Sequence, residues 1–230
     1  MYQLITFRAG YDAFSFSPFC IKAAWLLNAA GVQWARQDEN DPRKYPRGKL
    51  PCLQTEDQLI HDSGNIQTYL EDQGADFWGE TSARDKATGH ALIRMAEEHM
   101  YFFGAIDRWM NDAVWPHVRD AYFVDVPKII RGIVTGGLRK NLRKGLETQG
   151  LMRLSSSEQM DRLEADLLAI ATLLEGQDFL LGNAPTLPDY SVAAMLISMH
   201  KGPIETAQTK RVAGDPVLMG YITRMTEACE

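Results

Sequence analysis

The chain has 230 residues, 45% of them hydrophobic and 23% charged, with a formal net charge of -6 at pH 7. That composition excludes a disordered chain, and the acidic excess argues against nucleic acid as the main partner, because phosphate binding needs a clustered positive field. No apolar run reaches the length of a membrane span, no N-terminal segment reads as a leader, and Cys20, Cys52 and Cys229 have neither metal-ligand spacing nor an even count, so a cytosolic location without disulfide or metal is expected.

In chain order, residues 2 to 7 read as a strand, 18 to 30 as a helix and 33 to 37 as a strand. An irregular turn over 40 to 48 leads to strands at 51 to 55 and 58 to 61, then to a helix at 64 to 73. Strands alternating with helices and ending in a hairpin predict an α/β half with a small mixed sheet. From Ser82 onward the pattern is helical only, over residues 83 to 112, 114 to 123, 128 to 147, 156 to 175, 187 to 200 and 215 to 228. The polar, glycine-containing stretch from Gly74 to Ser82 marks the boundary, so domains of residues 1–75 and 83–230 are expected.

Two segments carry chemistry. Ser17-Pro18 opens the first helix, with a hydroxyl at the N-cap and a proline where no donor is needed. Capping alone accounts for that pair, but the same position puts a hydroxyl and several unpaired N–H groups, backed by the positive end of a helix dipole, at the mouth of a cleft, which favours an anionic sulfur. Gly48-Lys49-Leu50-Pro51 leads into the hairpin, and Asp62-Ser63 opens the next helix. A cis Leu50-Pro51 bond would turn the Leu50 backbone outward to pair with an extended peptide, whose charged end would meet Asp62 and Ser63. Read separately, Lys49 is a surface charge, Asp62 a turn residue and Ser63 the N-cap of the helix.

Strand, loop, Ser17-Pro18-Phe19-Cys20, Lys49-Leu50-Pro51 and Asp62-Ser63, in that order, resemble the thioredoxin-fold half of the glutathione transferase superfamily. Phe179 to Ser191, with Thr186-Leu187-Pro188-Asp189 inside it, resembles the capping box that opens a core helix of that superfamily's helical half. Gln149-Gly150-Leu151-Met152-Arg153 and the basic stretch before it narrow the resemblance to the metaxin and failed-axon-connections branch. The resemblance implies a thioredoxin-like N-terminal domain, an all-α C-terminal domain and glutathione as cosubstrate. It makes Ser17 the catalytic residue that stabilises the glutathione thiolate, with Lys49, Leu50, Pro51, Asp62 and Ser63 as the binding set. In that set Ser63 suits the γ-glutamyl carboxylate, Asp62 the ammonium and Lys49 the glycine carboxylate. Family members commonly carry Glu where Asp62 stands, so the shorter side chain bears on affinity. Ser17 replaces the first cysteine of the glutaredoxin-like Cys-Pro-x-Cys motif, which rules out a dithiol mechanism, and Cys20 reads as a small buried residue. Tyr11 and Ser15 are further hydroxyls in the same loop; Ser17 is preferred because it alone precedes the proline and the helix.

The implied activity is conjugation of glutathione to an apolar electrophile by a cytosolic homodimer. The alternatives are a non-catalytic interaction module and a glutathione-dependent reductase. Tyr101, Phe102, Trp109, Trp115 and Tyr122 could line the electrophile pocket, although their helical spacing reads as core. Residues 128 to 146 carry Lys128, Arg131, Arg139, Lys140, Arg143 and Lys144 with no acid, among apolar residues at helical spacing. Such a helix can lie on an anionic membrane, but the expectation is that its apolar face docks on the core.

Overall fold

The computed structural model describes residues 1–229. The first half runs β1 (Tyr2–Thr6), α1 (Pro18–Ala29), β2 (Trp34–Asp38), β3 (Cys52–Gln54), β4 (Leu59–His61) and α2 (Ser63–Asp72). Its sheet has the order β2-β1-β3-β4, with β1 and β2 parallel and the other two pairs antiparallel. α1 makes the crossover between the parallel strands, and Thr55 closes the β3–β4 turn by donating its N–H and its hydroxyl to the Gln58 carbonyl. The second half runs α3 (Ala83–Met95), a π-helical turn at Ala96–Met100, α4 (Tyr101–Met110), α5 (Trp115–Tyr122), α6 (Lys128–Gln149), α7 (Ser156–Leu173), α8 (Leu187–His200), α9 (Ala207–Ala213) and α10 (Pro216–Cys229). The thioredoxin-like half followed by a helical half is therefore as expected. The π turn and α9 are additions. A single wide turn leaves the apolar period of a long helix almost unchanged, and α9 is short, with Thr, Lys and Arg at its centre.

α1 and α8 are buried on nearly every side, which is why their sequences are apolar all round. They pack on each other, and one continuous core extends from Leu4 through Trp25, Leu26 and Phe77 to Leu196 and Tyr221. The Asp189 carboxylate is fully buried and accepts hydrogen bonds from the Leu180 and Thr186 N–H groups and from the Thr186 and Tyr221 hydroxyls, at 2.8–2.9 Å. This is the folding role the capping motif predicts.

The N-terminal part of α6 overturns one expectation. Its apolar side chains face solvent: Ile129 is 94% exposed and Ile133 80%, with Ile130, Val134 and Leu138 also open. Arg131 and Arg139 turn inward instead. Arg131 donates to the carbonyls of Val124 and Val126, while Arg139 donates to those of Trp109 and Met110 and pairs with Asp112 at 2.7 Å. Trp109 and Met110 end α4, so their carbonyls lack the next turn's N–H donors. The surface under α6 thus calls for donors, which guanidinium groups supply and isoleucines cannot. Only further along, at Leu142 and Leu146, does the helix rest on the apolar core.

Candidate functional site

The chain reaches Ser17 through a tight loop. Gly10 and Ala13 exchange backbone hydrogen bonds, and Tyr11 and Asp12 between them both have positive φ, at 53° and 56°, as a two-residue hairpin turn of right-handed strands requires. The Phe16 ring lies so close over Gly10 that a Cβ there would fall 2.0 Å from it. Ser15 is buried and its hydroxyl is committed: it donates to the Phe7 carbonyl and accepts from Thr6 and from the Ser17 N–H. The Tyr11 hydroxyl is committed too, donating to the His117 carbonyl, and burial pushes that phenol up to about 12.

Ser17 is different. It occupies the N-cap of α1, with φ -109° and ψ 126°, yet its hydroxyl makes no capping hydrogen bond, and the residue is half-buried. The Ser17 carbonyl takes the N–H groups of Cys20 and Ile21, and Pro18 has none, so the helix start offers the single N–H of Phe19 rather than several. Cys20, fully buried, packs with Ile5, Leu50 and Cys52. Burial pushes its thiol up, while the neighbouring Thr6, Ser17 and Ser15 hydroxyls and the Phe7 backbone pull the other way.

That small cluster brings the hairpin edge to the start of α1. The Leu50-Pro51 bond is cis, and the Leu50 N–H and C=O take no hydrogen bond from any described residue. Next to it, the Pro51 carbonyl accepts the Asp62 N–H at 3.2 Å, which ties the α2 start to the same edge. Asp62, not Ser63, is the N-cap of α2; its carboxylate accepts the Gly64 N–H at 2.9 Å. The shift of one residue follows from the backbone, since Asp62 has φ 80° and ψ 139°, outside the helix, while Ser63 is already helical. Ser63 is buried, and its hydroxyl makes no hydrogen bond to another described residue. Lys49 is exposed and its ammonium has no carboxylate partner among the described residues. Beneath this edge the Cys52 thiol lies 3.2 Å from His61 Nδ1, and burial followed by the neighbouring Cys20 pushes it up to about 11.

The helical half supplies groups that sequence reasoning missed. Arg108, on α4, donates to the Phe16 carbonyl at 2.7 Å, the Tyr122 hydroxyl at 2.9 Å and the Ser198 carbonyl at 2.7 Å. It therefore fixes the residue before Ser17 against α5 and α8. Phe16 stacks on Tyr122 with ring centroids 4.0 Å apart, and Phe19 meets Tyr101 at 5.1 Å. Of the five aromatic residues proposed for a pocket, Trp115 is buried, whereas Tyr101, Phe102, Trp109 and Tyr122 are half-buried. An arginine in the run from Tyr101 to Met110, where Asp107 is the one other charged residue, is the local signal that could have flagged Arg108.

The Leu50 edge, the Ser17 hydroxyl and the starts of α1 and α2 thus lie together at one end of the sheet. The family model described as the glutathione S-transferase N-terminal domain matches residues 18–114, and that for the C-terminal domain matches residues 152–224. The chain belongs to the glutathione S-transferase superfamily. It is 26% identical over 223 residues to the isoprene-epoxide–glutathione S-transferase of Rhodococcus sp. (strain AD45), with 91% of each chain covered. It is 24% identical over 236 residues to Failed axon connections of Drosophila melanogaster, spanning 94% of this chain and 54% of that one, which agrees with the expected branch. In fold it is similar to glutathione transferase GSTFuA3 from Phanerochaete chrysosporium, with a TM-score of 0.63, 17% identity and coverage of 100% and 97%. No helix among the described residues is long and apolar enough to cross a membrane.

Proposed function

We propose that this chain is a glutathione transferase that conjugates the glutathione thiolate to an apolar electrophile. The observation that carries the reading is the set of polar groups left open at one sheet edge: the Ser17 hydroxyl, which caps no helix N–H and meets the Cys20 thiol, the Leu50 backbone and the Ser63 hydroxyl. In this reading Ser17 donates to the thiolate, with the Phe19 N–H and the helix dipole behind it, and lowers the thiol pKa from its reference of roughly 8.5. The Leu50 backbone, set by Pro51, pairs with the peptide. Ser63 and the α2 start take the γ-glutamyl carboxylate, Asp62 the ammonium and Lys49 the glycine carboxylate. Residues 1–75 form the glutathione-binding domain and residues 83–230 the helical one, which contributes the apolar wall around Tyr101. The name of the Rhodococcus relative makes an apolar epoxide the first electrophile to try. The working form is a cytosolic homodimer.

Titration with glutathione by calorimetry, followed by conjugation assays on the wild type and Ser17→Ala, tests the proposal. Affinity should be nearly unchanged, and the rate should fall by roughly ten- to a hundredfold, the equivalent of about 1.5–3 kcal/mol for one donor to a charged group. A flat titration removes glutathione from the reading. Binding without turnover across a broad electrophile panel favours the second reading, a non-catalytic interaction module, which rests on the similarity to Failed axon connections.

A further inference from the structure

The outward face of α6 has no counterpart in the reading above. Residues 115 to 151, which include α5 and α6, lie between the two family-model matches. Ile129, Ile133, Gly137, Lys140 and Lys144 recur at helical spacing and form one line along the exposed side. The N-terminal half of that line is apolar, and Ile130, Val134 and Leu138 broaden it. The C-terminal half is cationic. Lys128, Lys140 and Lys144 are exposed and form no ion pair with any described residue, and no acid occurs on the helix before Glu147. The inward face is held by arginine bonds to backbone carbonyls, so the isoleucines are not available to the core without breaking those bonds.

We infer that α6 seats the protein on an anionic lipid surface, with Ile129 and Ile133 in the acyl boundary and Lys140 and Lys144 on the headgroups. Charge complementarity selects this occupant. In a chain of net charge -6, a patch that sets unpaired lysines beside exposed isoleucines matches the negative leaflet. A second copy fits less well. Five apolar side chains fall far short of the roughly 20–30 residues a side of a stable interface.

The test is co-sedimentation of the full chain with phosphatidylcholine vesicles, with and without phosphatidylserine, at low and physiological salt. The wild type should bind the phosphatidylserine vesicles and release as salt rises. Lys140→Gln and Lys144→Gln should each weaken partitioning about fivefold. Ile129→Ser with Ile133→Ser should weaken it by about tenfold or more. Both isoleucines face solvent, so circular dichroism should show these variants folded. Absence of wild-type binding at low salt overturns the proposal whatever the variants do, as does binding that both sets of variants leave unchanged. A concentration-dependent dimer in sedimentation equilibrium that Ile129→Ser with Ile133→Ser dissociates, in a protein that ignores vesicles, assigns the face to a second copy instead.

Discussion

Asp62 holds a backbone conformation that suits glycine, with φ 80°, at a cost of order 1–3 kcal/mol for a residue with a side chain. Asp62→Gly should relieve that cost and lose only a few tenths of a kcal/mol of helix capping, so the free protein should gain about 1 kcal/mol in urea denaturation. Glutathione affinity should fall in the same variant, because the carboxylate proposed for the γ-glutamyl ammonium is gone. A variant that is no more stable shows that the strain is absent; one that binds as well shows that Asp62 only caps α2. Cys52 offers a second prediction. Burial holds its thiol near 11, against roughly 8.5 in an unfolded chain, so between those values the native state keeps a proton that the unfolded state releases. Stability should therefore fall as pH rises through that window, by about 2 kcal/mol at about pH 10 from this group. Cys52→Ala should flatten the pH dependence of the urea midpoint, and an unchanged slope counts against the assignment.

At the scale of elements, the π turn places Glu97 against α1 and α8. Glu97 Oε1 lies 2.6 Å from the Lys22 ammonium, which is 1% exposed, and accepts the Ser191 hydroxyl at 2.8 Å. Glu97→Ala leaves an uncompensated buried ammonium and should cost about 3–5 kcal/mol, and Lys22→Met, which leaves the Glu97 carboxylate to the Ser191 hydroxyl and to Arg94 at 3.4 Å, should also be strongly destabilising, whereas removing both charges with Lys22→Met and Glu97→Gln should cost much less than the sum. A double variant that loses as much as the two single variants added together in equilibrium denaturation would show that packing, not charge, dominates there. Such pairs mark the limit of what sequence makes legible. Pro51, Asp62-Ser63 and Ser17-Pro18 are local devices whose meaning lies within a few residues, and the alternation of strands and helices is equally local. Arg108 acts on Phe16 and Ser198, and Glu97 on Lys22 and Ser191, all more than seventy positions away, and nothing beside them in the chain names those partners. α6 shows the same limit in another form. Periodicity states which side chains share a face, but which face turns inward depends on the neighbour, and here the neighbour is the row of carbonyls ending α4.

At the scale of the molecule, the core does not divide between the two halves: Trp25 and Leu26 of α1 belong to the same cluster as Leu196 of α8. Chemical denaturation should accordingly give one transition, coincident by tryptophan fluorescence and far-ultraviolet circular dichroism. Two separated transitions would show that the halves fold as independent units. The guanidinium of Arg108 adds a further dependence, since it joins the Phe16 carbonyl to the Tyr122 hydroxyl and to the end of α8. The position of Ser17 is thus written in two distant stretches of the chain. In a chimera that grafts residues 1–75 onto the helical half of another superfamily member, the loop that carries Ser17 would inherit a foreign mooring. Such a hybrid could keep every residue of the proposed peptide site and still hold its serine out of register.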